Sequence, residues 1–326
     1  MESQNLYSRQ SIRNEISLER IIETVREALI EFAKGRTQMP AKDYLLFNQH
    51  NGDLRTMSSY VPKFNLATVK LVNSHPANPE TYDLPTVMAL LCAFDPETGQ
   101  PLAVMDGTEL TKLRTAAASA LATKQFTAKS VTNLGMIGTG AQARPQLRGQ
   151  LWARDFQTVY LYDINEKTKN QFFEWATKTF PEVEFQRIKS ADDLFTHSEV
   201  IVSLTPAREP LVESSLPQKI THINAMGADA PGKQEWPDSL LEKMKIIVDD
   251  WEQARHSGEV QRLAKSGDLA EHDLFSELGE ALADNIQTPN DVTLFDSTGL
   301  AIQDTACAHA VLESSLDPDN RFSFLE

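Results

Sequence analysis

The sequence predicts an α/β protein: an α+β first part with a mainly antiparallel sheet, followed by a Rossmann-type domain built on a parallel sheet. Three observations carry this. Strand and helix patterns alternate from Ser130 onward, Gly138-Thr-Gly140-Ala-Gln-Ala143 joins one such strand to a helix, and Asp43–Phe94 breaks into short apolar runs separated by turn signals. The 326 residues allow two domains at roughly 100 to 200 residues each.

After a polar start, Ile21, Ile22, Val25, Leu29 and Phe32 recur at helical spacing, with Ser17 as N-cap and Gly35 just past the end, so Leu18–Phe32 reads as an amphipathic helix. Thr68–Val72 and Val87–Phe94 are strand-like runs, set off by Asn51-Gly52, His75-Pro76, Asn78-Pro79 and Asp95-Pro96. Thr111–Lys124 is an Ala-rich helix whose small side chains permit close packing, and it hands the chain to the second domain. Strands are then expected at Val131–Ile137, Thr158–Tyr162, Val183–Ile188, Glu199–Leu204, Ile220–Met226 and Lys245–Asp249. Helices are expected at Gln142–Ala153, Glu166–Thr179, Pro237–Met244 and Glu252–Lys265, with an irregular stretch to Asn290, a strand at Val292–Phe295 and a helix at Leu300–Leu316.

Composition narrows the functional classes. The net charge of −15 comes from 46 acids and 31 bases scattered along the chain, without a basic block to neutralise a phosphate backbone, so nucleic acid and anionic membrane are poor partners. No run approaches the roughly 20 apolar residues of a membrane span, and Met1–Arg13 is polar where a secretory signal needs an apolar core. A cytoplasmic protein is expected. With only Cys92 and Cys307, a disulfide framework or thiolate zinc site lacks ligands, and both are expected to be buried free thiols. The seven histidines lack metal-ligand spacing, so no metal site is expected and each histidine reads as a surface or turn residue.

The glycine motif is G-x-G-x-x-A between a buried strand and a helix. Gly138 and Gly140 permit a tight turn and close approach of backbone to a pyrophosphate, whose charge meets the helix N-terminus, and Ala143 fills the packing position. Asp163 ends the next strand, 25 residues after Gly138, near the spacing at which an acid accepts hydrogen bonds from the adenosine ribose. That acid favours NAD(H) by repelling a 2′-phosphate, and no Arg follows it, although an acid alone leaves NADP(H) open.

An enzyme moving hydride at a carbon bearing an amine and a carboxylate needs cations for the carboxylate and a group that exchanges a proton with nitrogen. Lys70 alternates with Val69 and Leu71 in an apolar strand, where a Lys is costly unless paired or functional; its alternative use is on an edge strand facing solvent. Arg114 is read as opening the Ala-rich helix, where a cation needs an anion opposite it; an ordinary ion pair is the alternative. Asp229 follows the strand ending at Ile223, at the carboxyl edge where open α/β sheets bind ligands, or it serves simply as a turn residue before Pro231-Gly232.

These residues resemble the ornithine cyclodeaminase and mu-crystallin family, which includes the archaeal type of alanine dehydrogenase. The matching text is Gln38–Lys42, Asn51–Arg55, Val69–Pro76, Leu84–Met88, Met105–Thr108, Leu113–Thr115, the Gly138 loop, His222–Ala225 with Asp229 and Pro231–Lys233, and Phe295–Asp304. The resemblance implies a homodimer with a Rossmann domain, 126–291, inserted into a substrate and dimerisation domain formed by 1–125 and the returning strand and helix of 292–326. It implies Lys70 as proton donor or acceptor, Asp229 at the substrate nitrogen, and Lys42 and Arg114 at the substrate carboxylate. For the cofactor it implies Thr86, Arg114, Thr115, Gly138, Gly140, Ala141, Gln142, Asp163, Thr205, Asn224, Ala225, Met226, Gly227, Lys233 and Ser297.

One departure bears on substrate. The cyclodeaminases carry an acid where this chain has Arg55, and Arg55 would repel the distal ammonium of a diamino acid in a low-dielectric pocket. With Lys42, Arg55 makes the chain resemble the archaeal alanine dehydrogenases and adds a third cation for the carboxylate. The expected activity is NAD(P)H-dependent hydride transfer at the α-carbon of a small amino or imino acid, on alanine with pyruvate and ammonia or on a cyclic imine such as Δ1-pyrroline-2-carboxylate. The rival readings are an NAD-dependent ammonia lyase acting on ornithine and a non-catalytic binding protein of the mu-crystallin kind.

Overall fold

The computed structural model describes residues 4–213 and 215–323, so the first three residues of the polar start lie outside the described ones. The chain begins with β1 (Gln4–Tyr7), α1 (Arg9–Glu15), α2 (Leu18–Ala33), β2 (Asp43–Phe47), β3 (Gly52–Val61), β4 (Leu66–Ser74), α3 (Asn78–Thr81), β5 (Val87–Phe94), β6 (Pro101–Asp106) and α4 (Gly107–Phe126). It continues through β7 (Asn133–Ile137), α5 (Ala143–Ala153), β8 (Thr158–Tyr162), α6 (Glu166–Thr179), β9 (Glu184–Arg187), α7 (Ala191–His197), β10 (Val200–Ser203) and β11 (His222–Ala225). The remainder is α8 (Asp238–Leu241), β12 (Lys245–Val248), α9 (Trp251–Ser257), α10 (Gln261–Ser266), β13 (Ser276–Glu277), α11 (Leu278–Asp284), β14 (Thr293–Asp296), α12 (Ala301–Leu312) and β15 (Asn320–Phe322). Two compact units result: Met1–Arg114 with Leu300–Glu326, and Thr115–Gly299.

The first unit is a seven-stranded sheet in the order β15-β1-β6-β5-β4-β3-β2, antiparallel except for the β1–β6 pair. In β4 the side chains of Leu66, Thr68, Lys70 and Val72 are buried while the alternate residues remain at least partly open, the two-residue period of a sheet covered on one face. α12 packs on β3, β4 and β5 and against α2. Thr305 of α12 is shared by Ser59 of β3 and Thr68 of β4 through hydroxyl contacts of 2.5 and 2.7 Å, which fixes α12 on the buried face. α2 starts as its sequence indicates, with Ser17 Oγ accepting from Arg20 N–H.

The second unit is an eight-stranded parallel sheet in the order β13-β12-β14-β11-β10-β7-β8-β9. Strand order reverses between β7 and β10, and the crevice at the carboxyl ends of such neighbours is where an open α/β sheet takes ligands. Burial of Leu194, Phe195, Trp236, Leu240 and Trp251 gives this sheet an apolar cover.

Several expectations are corrected. The strand near 292–295 does not return to the first domain: β14 lies between β11 and β12 as a parallel strand, because its fully buried Thr-Leu-Phe-Asp run suits a strand paired on both sides. Only α12 and β15 carry the chain back. α4 starts at Gly107 rather than near Thr111, so Arg114 sits inside the helix and the helix dipole does not act on it as expected. β1, α1, α3, β6, α7, β13 and β15 are not among the expected elements: each is seven residues or fewer, too short for its periodicity to stand out. The helix expected at Glu252–Lys265 breaks into α9 and α10 at Gly258, and α11 occupies part of the stretch read as irregular. Both thiols are free, with Cys307 buried and Cys92 only half-buried. Among the described residues, no helix is long and apolar enough to cross a membrane.

Candidate active site

In the first unit, alternation places Lys70 on the face covered by α12, in a strand flanked on both sides, so the edge-strand alternative is excluded. Lys70 Nζ lies 2.7 Å from Asp304 Oδ2, and both side chains are 1% exposed. Nζ also donates to Thr111 Oγ1 at 3.3 Å. Arg114 brings its Nε to 3.6 Å from Asp304 Oδ1 and donates from Nη1 to Gln303 Oε1 at 3.4 Å. Two buried cations thus share one buried carboxylate. Burial lowers the Lys70 ammonium to about 8, with Asp304 opposing the shift and Arg114 adding to it. Arg114 Nε and Gln303 Nε2 are buried donors with no hydrogen-bond partner among the described residues, an arrangement a bound carboxylate would satisfy.

Met57 opposes Lys70 across the β3–β4 ladder, so Arg55 and Asp53, two and four residues earlier on β3, share its face. Arg55 donates from Nε and Nη2 to the two oxygens of Asp53 at 2.8 and 3.2 Å, and its guanidinium lies 5.5 Å from the Tyr44 ring centroid. It is therefore held by a carboxylate of its own strand, a pairing the sequence reading did not foresee. Lys42 precedes β2 and is half-exposed, and Thr86 precedes β5 with its carbonyl accepting from His75 N–H at 2.8 Å.

In the second unit the glycine turn has the geometry its residues imply. Gly138 has φ of +94°, and a Cβ there would press on Leu204, so only glycine fits. At Gly140 a Cβ would meet nothing within 4 Å. Among the described residues no packing calls for glycine there, and the open space is what an approaching pyrophosphate requires. Gln142, the N-cap of α5, makes no side-chain cap, which leaves the helix start to an anion, and Ala143 is buried. Asp163 Oδ2 accepts from Thr139 N–H and Oγ–H at 2.7 and 2.8 Å, and Oδ1 accepts from Asn165 N–H at 2.8 Å. The acid thus braces the glycine loop. These residues fit a dinucleotide.

The other second-unit candidates differ in exposure. Ala141 is exposed, Thr205, Asp229 and Lys233 are half-buried, and Ala225, Met226, Gly227, Ser297 and Thr115 are buried. Lys233 Nζ contacts Asp229 Oδ1 at 2.5 Å and donates to the Gly227 carbonyl at 3.2 Å. Asn224 is turned inward, with Nδ2 donating to Thr123 Oγ1 at 2.9 Å and Oδ1 3.3 Å from His222 Nε2. Its side chain is committed to the interior. His222 corrects the surface reading of the histidines: it is fully buried, its other ring nitrogen lies 2.7 Å from Thr293 Oγ1, and burial lowers it to about 3, so it stays neutral.

Sequence reasoning missed one central residue, Asp304. A signal was present: Ala-Ile-Gln-Asp-Thr-Ala-Cys-Ala-His-Ala-Val-Leu is apolar on nearly every side, and an acid inside such a helix needs a buried cation. Among the described residues no group of three His, Cys, Asp or Glu is placed to hold a metal.

The profile of the ornithine cyclodeaminase/mu-crystallin family matches residues 2–319. The alanine dehydrogenase of Archaeoglobus fulgidus is 40% identical over 314 residues, 95% of each chain. A solved archaeal alanine dehydrogenase dimer with bound NAD superposes with a TM-score of 0.91 at 38% identity, over 99% of this chain and 100% of that one. The Δ1-pyrroline-2-carboxylate reductase of Thermococcus litoralis, solved with NADH and L-proline, gives 0.90 at 33% identity over 95% and 97%.

Proposed function

The chain belongs to the ornithine cyclodeaminase/mu-crystallin family, and from that premise we propose that it is an NAD(H)-dependent oxidoreductase transferring hydride at the α-carbon of a small amino or imino acid. The observation that carries this reading is the buried Lys70–Asp304–Arg114 cluster with its unmet donors at Arg114 Nε and Gln303 Nε2. Two buried cations facing one buried carboxylate leave a net positive charge, which the carboxylate of a substrate would balance.

Arg114 binds the substrate carboxylate, supported by Lys42 and by Arg55, which Asp53 holds in a fixed orientation. Lys70 carries the proton: with its affinity reduced by burial to about 8, it is charged at neutral pH yet ready to give the proton up. When bound, the nicotinamide supplies a hydride. In reduction the α-carbon takes that electron pair, the C=N π pair moves onto nitrogen, and nitrogen takes the proton from Lys70 Nζ. Asp229 is assigned to the substrate nitrogen, its carboxylate steadied by Lys233. The glycine turn at Gly138 and Gly140, the start of α5 at Ala141 and Gln142, and Asp163 hold the dinucleotide. Thr86, Thr115, Thr205, the backbone of Asn224–Gly227, Lys233 and Ser297 complete its site. Asp163 favours NAD(H) over NADP(H).

We assign a substrate with one carboxylate and no second ammonium, a choice that rests on Arg55, which Asp53 pairs with; pyruvate with ammonia and Δ1-pyrroline-2-carboxylate both suit it. We assign the active form as a homodimer. The open face of the seven-stranded sheet exposes Leu71 of β4 beside its cross-strand partner Leu90 of β5, an apolar area suited to a second copy of the chain.

The test is NADH oxidation with pyruvate plus ammonia, Δ1-pyrroline-2-carboxylate and Δ1-piperideine-2-carboxylate, beside Lys70→Ala as control. Oxidation with at least one substrate, lost in the variant, supports the reading. Conversion of ornithine to proline and ammonia without net change in NADH would replace it with the lyase, and a flat trace with every imino acid would replace it with a binding protein.

A further inference from the structure

We infer that Glu235 is a positioning residue for the dinucleotide site, clamping together the backbone that leaves the carboxyl ends of β10 and β11. Its side chain is fully buried in the second unit. Oε1 accepts from Thr205 N–H at 2.7 Å and from Thr205 Oγ–H at 2.8 Å. Oε2 accepts from Ser203 Oγ–H at 2.7 Å and from Gly227 N–H at 2.9 Å. Four donors from two neighbouring strand ends therefore converge on one carboxylate, and each of them is neutral.

A carboxylate is required here by the count of acceptors. A glutamine could accept at one end only, and its amide NH2 would face the Gly227 N–H, donor against donor. Gly227 is glycine for the same reason, since a Cβ at that position would collide with the Thr205 carbonyl and the Glu235 carboxyl. The clamp is itself held: Glu259 accepts from Glu235 N–H at 2.8 Å and from Trp236 N–H at 2.5 Å, and Trp236 Nε1 donates to Ser203 Oγ at 3.0 Å. Thr205 and Gly227 belong to the residues assigned to the cofactor, so Glu235 fixes them without touching it. The inference rests on the NAD(H) reading above.

The test is NADH binding by isothermal titration calorimetry, together with the melting temperature and the KM of the imino acid, for the full chain and for Glu235→Gln. An unsatisfied buried donor at Gly227 is expected to weaken NADH binding about tenfold, with the KM of the imino acid unchanged. A variant that melts earlier yet binds NADH as tightly as the unaltered protein would overturn the inference, because the carboxylate would then serve only the fold. If Glu235→Gln does not fold, Ser203→Ala, which removes one of the four donors, takes its place: weaker NADH binding supports the clamp and unchanged binding overturns it. Failure of the unaltered chain to bind NADH would instead overturn the cofactor reading.

Discussion

Lys70 Nζ and Asp304 Oδ2 stand 2.7 Å apart, each side chain only 1% exposed, one on the central part of a sheet and the other on the helix that covers it. Asp304 opposes the fall in Lys70 proton affinity that burial imposes. In Asp304→Asn this support is lost, so Lys70 gives up its proton at lower pH than the value near 8 it has in the unaltered protein. With Lys70 in its proposed role as proton donor, the rate of imine reduction is expected to fall as pH rises through that value. The pH profile of kcat/KM for reduction is therefore expected to break at lower pH in the variant. An unmoved break would mean that Asp304 does not govern Lys70.

Arg114→Met removes the guanidinium while keeping much of the apolar stem. Loss of a charge-assisted contact to the substrate carboxylate is expected to lower kcat/KM for the imino acid by about 10- to 100-fold. Steady-state kinetics with varied imino acid at saturating NADH checks this, and an unchanged kcat/KM would remove Arg114 from the carboxylate site.

Asp163→Ser deletes the acid that favours NAD(H) and also braces Thr139. The preference for NADH over NADPH, read as the ratio of the two kcat/KM values, is expected to fall by about tenfold or more as the repulsion of a 2′-phosphate disappears. A ratio that stays fixed would place cofactor choice elsewhere in the chain.

Leu90→Asp puts a charge on the open sheet face, beside Leu71. The mass measured by light scattering during gel filtration is expected to drop from dimer to monomer, since an isolated carboxylate resists burial in an apolar contact. A variant that remains dimeric would assign the interface to another surface.

Much of this was legible in the sequence because its signals are local. The glycine turn, the start of α5 and Asp163 lie within one βαβ unit, and backbone requirements at Gly138 dictate residue type directly. Lys70 could be singled out because alternation in β4 fixes the face on which it lies. Asp304 could not be joined to it, because the pair spans most of the chain and exists only once α12 lies across β4. Arg114 was found for a reason the structure does not sustain: the helix it seemed to open starts at Gly107, and its anion is a buried aspartate of α12. β14 was sent to the wrong sheet because four buried residues read alike in either one. Asn224 and His222 show the same limit, since nothing in their strand pattern reveals a hydrogen-bonded pair turned into the interior.

The central claim is that hydride reaches the α-carbon while nitrogen takes the proton. It is tested most directly by running the reaction with NADH deuterated at the transferring position of nicotinamide C4, using pyruvate with ammonia and, separately, Δ1-pyrroline-2-carboxylate. Mass spectrometry and proton NMR of the amino acid product then locate the label. The account predicts one deuterium at the α-carbon of the product of at least one reaction, with loss of its α-proton signal. NADH consumption that leaves the α-carbon unlabelled, or no consumption with either substrate, would contradict it.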